Sequence, residues 1–353
     1  MQTYKYNDLL ETVEIISDRF FFLLKKIDLN YLWDSDNSLE IEIKKSFIKS
    51  LIRHDDKTED LQKLILKNYK LKGNKRFKYT EFYPMIHMSK DKIENGGYHF
   101  DQVDNVNLET LWIAITKYEY PALSVADFKL KNSFINKILI KSNIAKIFSK
   151  NIYPQQGDIN IWDGKLIHSG NFNISSKPVL AMQMKIISLE EDFIFENIKE
   201  YSEEIDYSKK KSCIENNEFM REYKIYLSLI NQILIQSRSK LSINDDFKKL
   251  IEVIKKIPDV KSQKLSFALS ILSQRIRSFE NNFSTQVSNL KKFTSSLDYI
   301  SLLIGSENLV SFKRLYNDDI KKENILENII QNDIFNVCQK KYKKFKVITN
   351  HYK

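Results

Sequence analysis

Glycine, proline and tryptophan crowd into the first half of this chain. Six of seven glycines, four of five prolines and all three tryptophans precede residue 190, and only Gly305 and Pro258 follow it. Turns need residues that reach positive φ or fix φ, and helix interiors reject both kinds. The first half must therefore turn often, while the second can be almost all helix. This is an α+β chain of two characters, with no internal repeat and no low-complexity linker. Its 353 residues, 42% of them apolar, suffice to bury a real core and argue against a disordered protein.

Apolar spacing then separates helix from strand. Leu9, Val13, Ile16, Phe20, Leu23, Leu24 and Ile27 recur mostly at intervals of three and four, and Leu39 to Ile52 and Glu59 to Tyr69 continue the theme. Residues 1–75 are thus expected to be helices, ending at Lys72-Gly73-Asn74, that pack on the segment after them. Residues 76–189 read as a β-rich core. Its strands fall over Arg76 to Met88, Tyr98 to Asp101, Leu108 to Tyr118, Ile159 to Trp162, Lys165 to Ser169 and Lys177 to Ile187, with a helix near Asn132 to Lys150. Residues 190–353 read as a helical region. Val287, Leu290, Phe293, Leu297, Ile300 and Ile304 share one face there, and Gly305 stands where a helix end needs positive φ. Leu227, Ile230 and Leu234 mark another helix.

The net charge of +10 does not point to nucleic acid. Only eight of the 56 basic residues are arginine, and the lysines are mixed with acids instead of forming a stripe. The runs Lys209-Lys210-Lys211 and Lys340 to Lys346 read as solvated faces. No apolar stretch is long enough to cross a bilayer. Asp8, Glu11 and Glu14 argue against a secretory or transit segment, so a cytoplasmic location is expected. Cys213 and Cys338 have no paired spacing and read as ordinary thiols. A phosphate-binding glycine loop, a nucleophile elbow and a zinc-protease helix are all missing from the sequence.

One constellation carries chemistry. His99 and Asp101 stand at i and i+2 in a strand, so both side chains take the same face with backbones roughly 7 Å apart. A third ligand must come from another strand, and His168 is the best placed. Two imidazoles and one carboxylate on one face form the metal set of non-haem iron sites, with open positions opposite. There are five histidines. His54, beside Asp55 and Asp56, and His351, in the tail, read as solvent-exposed. His87 lies in a neighbouring strand and is expected to support the site or the core.

The flanking residues add a resemblance. Gly-Gly-Tyr-His99-Phe-Asp101 is followed at a distance by Gly157-Asp158-Ile-Asn-Ile-Trp-Asp163-Gly164-Lys-Leu-Ile-His168-Ser-Gly170, and then by a small-residue, Asn-containing loop, Ser169 to Ser176. Over about residues 76 to 188 this resembles the phytanoyl-CoA dioxygenase family. The resemblance implies a double-stranded β-helix, the jelly-roll barrel shared with cupins. It implies iron(II) held by His99, Asp101 and His168, with 2-oxoglutarate as co-substrate. The implied reaction is hydroxylation of a small-molecule, carrier-linked or sugar substrate. Related halogenases replace the carboxylate ligand by a small residue, so Asp101 favours hydroxylation.

Two features depart from that family. It carries an arginine beyond the second histidine that pairs with the far carboxylate of 2-oxoglutarate, whereas this chain has no arginine between Arg76 and Arg221. Lys177 is the expected substitute, holding the carboxylate as a point charge. Lys185 shares its face but lies roughly 26 Å further along an extended strand. The family's Pro-Gly-Ser-His segment is also missing, with Tyr120-Pro121-Ala122-Leu123-Ser124 nearest in place. An alternative reading is therefore a catalytically degenerate barrel whose basic helical half binds a protein or nucleic acid. A metal-dependent enzyme that does not use 2-oxoglutarate is a third.

Overall fold

The N-terminal apolar stripes fold as helices α1 (Leu10–Lys26), α2 (Ser38–Arg53) and α3 (Asp56–Gly73). The computed structural model describes residues 1–5, 7–29, 38–73, 77–90, 97–101, 108–126, 144–188, 198–201, 217–237 and 262–278, with isolated positions between them. Helix α1 buries Val13, Ile16, Phe20, Leu23 and Leu24 along one stripe, as its spacing requires. Helix α3 is capped by Asp55, whose Oδ2 accepts the Lys57 N–H at 3.2 Å. The buried Arg19 guanidinium reaches Asp55 Oδ2 and Asp56 Oδ1, each at 2.6 Å, and also pairs with Glu215. Ser212 donates to the other Asp55 oxygen at 3.2 Å. Arg19 thereby ties α1 to the start of α3 and to the 212–215 segment. Among the described residues no helix is long and apolar enough to cross a membrane.

Among the described residues ten strands accompany the turn-rich composition: β1 (Gln2–Tyr4), β2 (Phe77–Thr80), β3 (Tyr83–His87), β4 (Leu108–Ala114), β5 (Leu123–Ala126), β6 (Ser149–Ile152), β7 (Ile159–Asp163), β8 (Ile167–Gly170), β9 (Val179–Ser188) and β10 (Ile198–Glu200). A short helix, α4 (Ile144–Ile147), leads into β6. All the strands pair antiparallel. The larger sheet has the order β1-β7-β4-β9-β2-β10, with β3 also on β9, and the smaller has the order β6-β5-β8. From β3 onward the chain passes back and forth between them. β3 and β4 lie in the larger sheet, β5 and β6 in the smaller, β7 in the larger, β8 in the smaller and β9 in the larger. Leu123 and Val125 of the smaller sheet share a buried cluster with Trp112, Ala114, Trp162, Val179 and Ala181 of the larger. The two sheets therefore face one another across a common core.

The chain divides into two compact units, one built from Met1–Asp34 and Ile52–Glu215, the other from Ser35–Leu51 and Asn216–Lys346. This differs from the expected breaks at 75 and 189. Strand β10 extends the larger sheet to Glu200, and most of α2 belongs to the second unit. Strands β1 and β10 have three residues each and β6 four, too few for a period to show. Ser149 and Lys150, expected in a helix, are strand residues of β6.

The second unit contains α5 (Phe219–Ser237) and α6 (Gln263–Ser278). Phe47 of α2 packs on Tyr223 and Tyr226 of α5 at centroid distances of 5.0 and 5.2 Å. Leu297, Ile300 and Ile304 are helical and buried, in keeping with their expected shared face. Val287, Leu290, Phe293, Gly305, both cysteines and His351 lie outside the described residues.

Candidate metal centre

The site begins with one rung of main-chain pairing. His99 and His168 form an antiparallel bridge in which each N–H donates to the other's carbonyl at 2.8 Å. Residues that exchange both bonds stand directly opposite, with side chains on the same face. His168 is also opposite Val125 in β5, whose side chain belongs to the shared core. The two imidazoles thus face the larger sheet, with ring centroids 4.3 Å apart. Asp101, two residues beyond His99, returns to that face. One ligand atom from each of His99, Asp101 and His168 lies within 4.8 Å of the other two.

Local main-chain contacts orient each imidazole. Nδ1 of His99 lies 2.9 Å from the Gly97 carbonyl, and Nδ1 of His168 lies 3.0 Å from the Leu166 carbonyl. A carbonyl can only accept, so both Nδ1 atoms carry a proton, which leaves Nε2 as the nitrogen able to act as a ligand. His168 Nε2 is 3.8 Å from Asp101 Oδ2. Gly97 supplies its carbonyl from positive φ, +66°, a conformation glycine adopts without strain.

The larger sheet supplies a floor. Register places Thr110 of β4 opposite Lys185 of β9 on one side and Trp162 of β7 on the other. All three act on the triad. Thr110 donates to Asp101 Oδ2 at 2.5 Å, and the Lys185 ammonium reaches the same oxygen at 2.6 Å and Thr110 Oγ1 at 2.9 Å. Trp162 packs edge-on against His168, with centroids 5.0 Å apart. The next rung, Trp112 opposite Asn160, presents further donors to the same interior. Among the described residues, Trp112 Nε1, Trp162 Nε1 and Asn160 Nδ2 are buried with no hydrogen-bond partner. Buried donors of this kind call for an acceptor.

The electrostatics favour metal-ready protonation states. Burial, and then the neighbouring His168, pushes the His99 imidazole down to about 4, so it is neutral near pH 7. Burial alone would raise the Asp101 carboxyl, but Lys185, followed by His168 and His99, outweighs it and holds Asp101 well below the usual carboxylate range. Burial lowers Lys185, against the pull of Asp101. A neutral His99 and an ionised Asp101 are forms in which such groups can coordinate a divalent ion.

The remaining sequence candidates lie elsewhere. His87 pairs with Val179, six residues along β9 from Lys185, or roughly 20 Å of extended strand. It is a buried residue at the other end of the sheet. Lys177 precedes β9 beyond that end. Its side chain is exposed, and its carbonyl accepts from Asn173 at 2.7 Å. His54, expected in solvent, is half-buried. Lys185 is the residue that sequence reasoning passed over. Its signal was cross-strand, since its amine acts on a group from another part of the chain.

No protein-family model matches this chain, and no curated protein matches it. Among solved structures it is similar to the non-haem α-ketoglutarate-dependent carbocyclase SnoK from nogalamycin biosynthesis, at TM-score 0.30 and 11% identity over 38% of this chain and 62% of that one. It is also similar to the epimerase SnoN in complex with Fe3+, α-ketoglutarate and a nogalamycin compound, at TM-score 0.28 and 10% identity over 42% and 65%. A third is HygX from Streptomyces hygroscopicus with nickel, 2-oxoglutarate and hygromycin B bound, at TM-score 0.28 and 9% identity over 40% and 66%. The match thus spans less than two thirds of the length of each of these proteins.

Proposed function

We propose that this protein is an iron(II)- and 2-oxoglutarate-dependent oxygenase of the phytanoyl-CoA dioxygenase type, acting on a small-molecule, carrier-linked or sugar substrate. The observation that carries this reading is the convergence of His99, Asp101 and His168 within 4.8 Å, with both imidazoles on one rung. The passage of the chain between two facing antiparallel sheets supports a double-stranded β-helix as the barrel around it. With iron and 2-oxoglutarate bound, such a site supplies oxidative decarboxylation of the oxoacid coupled to oxidation of a substrate C–H bond.

The residues present fit both groups. His99, Asp101 and His168 would hold the metal through two imidazole nitrogens and one anionic oxygen. The buried N–H donors of Trp112, Trp162 and Asn160 suit a co-substrate made of carboxylate and carbonyl oxygens. For the far carboxylate, Lys177 is the position indicated by resemblance, and Lys185 is the cation that stands among the site residues. Replacing Lys177 by Met and measuring 2-oxoglutarate affinity of the Mn(II)-loaded protein tests the first position, because loss of the anchoring lysine lowers that affinity.

Anaerobic titration of the whole protein with iron(II) and 2-oxoglutarate tests the reading as a whole. A weak visible charge-transfer band is expected, and it should be absent in His99→Ala. Absence of metal binding in the wild type would favour the degenerate-barrel reading instead, for which the ion pair between Lys185 and Asp101 is the specific observation.

A further inference from the structure

Asp101 Oδ2 is crowded. It accepts from Thr110 at 2.5 Å and from the Lys185 ammonium at 2.6 Å, and it lies 3.8 Å from His168 Nε2. A carboxylate oxygen offers about two lone-pair directions, and these two donors take both, which leaves Oδ1 for any further partner. A divalent ion seated between the imidazoles and this carboxylate would be a third claimant on the same group. It would also stand within a few ångströms of an ammonium in a setting where water screens little, because the Lys185 side chain is 22% exposed and that of Asp101 7%. The root of the Lys185 side chain is fixed beside the site. Its main-chain N–H is fixed by Thr80 Oγ1 at 2.9 Å, and its position on β9 is set by pairing with Thr110.

Resting on the proposed function, we infer that Lys185 is a positioning residue that weakens retention of the metal alone and makes firm retention depend on an anionic co-ligand. The ammonium draws on the carboxylate charge that the metal would use and repels the metal. A chelating oxoacid dianion brings negative charge to the same place, gives the ammonium a second acceptor and removes both penalties. Metal and oxoacid then strengthen one another's binding beyond what chelation provides, and by linkage the effect is reciprocal. The metal would be held loosely until the co-substrate arrives.

Isothermal titration of full-length protein with Mn(II), with and without saturating 2-oxoglutarate, reads this directly, since Mn(II) needs no turnover. Lys185→Met should bind Mn(II) alone roughly tenfold more tightly than wild type, and its gain on adding 2-oxoglutarate should shrink by a similar factor. Lys185→Arg keeps the charge and should resemble wild type. Lys185→Gln, which keeps a donor to Asp101 without the charge, should behave as Met does and serves if the Met variant does not fold. Weaker Mn(II) binding in both neutral variants would overturn the inference and make Lys185 a brace for Asp101. An unchanged enhancement by 2-oxoglutarate would overturn it as well. A wild type that binds no Mn(II) would remove the proposed function itself, an outcome distinct from either.

Discussion

Two buried charge clusters in the same compact unit do opposite things. Around Arg19, one guanidinium meets Asp55, Asp56 and Glu215, and Ser212 takes the remaining Asp55 oxygen. The cation's donors are matched by carboxylates, and the pairs join three segments of chain. Around Asp101 the count is reversed. One carboxylate meets one lysine, one threonine and the imidazoles of His99 and His168. The first cluster is saturated and structural. The second gathers possible ligand atoms of three residues at one point, with both imidazoles oriented by main-chain contacts. Buried charge alone does not mark a functional site, whereas convergent lone pairs do.

Substitutions should separate the two clusters cleanly. Arg19→Met strands buried carboxylates and should cost about 3–5 kcal/mol in urea unfolding, while leaving Mn(II) affinity unchanged in the folded protein. His99→Ala should do the reverse, lowering Mn(II) affinity by at least roughly 100-fold while the melting temperature stays near that of wild type. Thr110→Val removes one donor from Asp101 while keeping the side-chain shape, and should shift Mn(II) affinity by about tenfold with little change in stability.

The smallest effect is expected where an ion pair is partly exposed. Burial would raise the Glu81 carboxyl, but Arg53 and Lys199 outweigh this and hold it near about 2 against an ordinary 4.5. A lowered carboxylate stabilises the fold fully above pH 4.5, and that contribution is lost as pH falls toward 2. Glu81→Gln should therefore flatten the acid limb of a stability–pH curve, by about 1 kcal/mol at neutral pH. A change in Mn(II) affinity in Glu81→Gln would blur the separation between structural and metal-directed charge.

How much the sequence disclosed depends on the range of each signal. The period of Val13, Ile16, Phe20 and Leu23 is local, and α1 can be read from it directly. The i, i+2 spacing of His99 and Asp101 is also local, so a shared face could be expected before any fold was known. His168 required a guess across about seventy residues, aided by the turn signals at Gly157 and Gly164. The placement of Lys185 was invisible for a specific reason. Counting along β9 gives its distance from Lys177, but only cross-strand register shows that it stands beside Thr110 and beneath Asp101. The short strands β1, β5, β6 and β10 were lost because pairing, not residue pattern, makes them strands.

The reciprocal pairing of His99 with His168 also ties ligation to the mechanics of the sheet edge. The peptide groups that clasp one another are those that carry the two imidazoles, so opening this edge pulls both nitrogens off a bound ion. An ion there would act as a rivet through the clasp, and deuterium uptake at these two amides would slow together when it is in place.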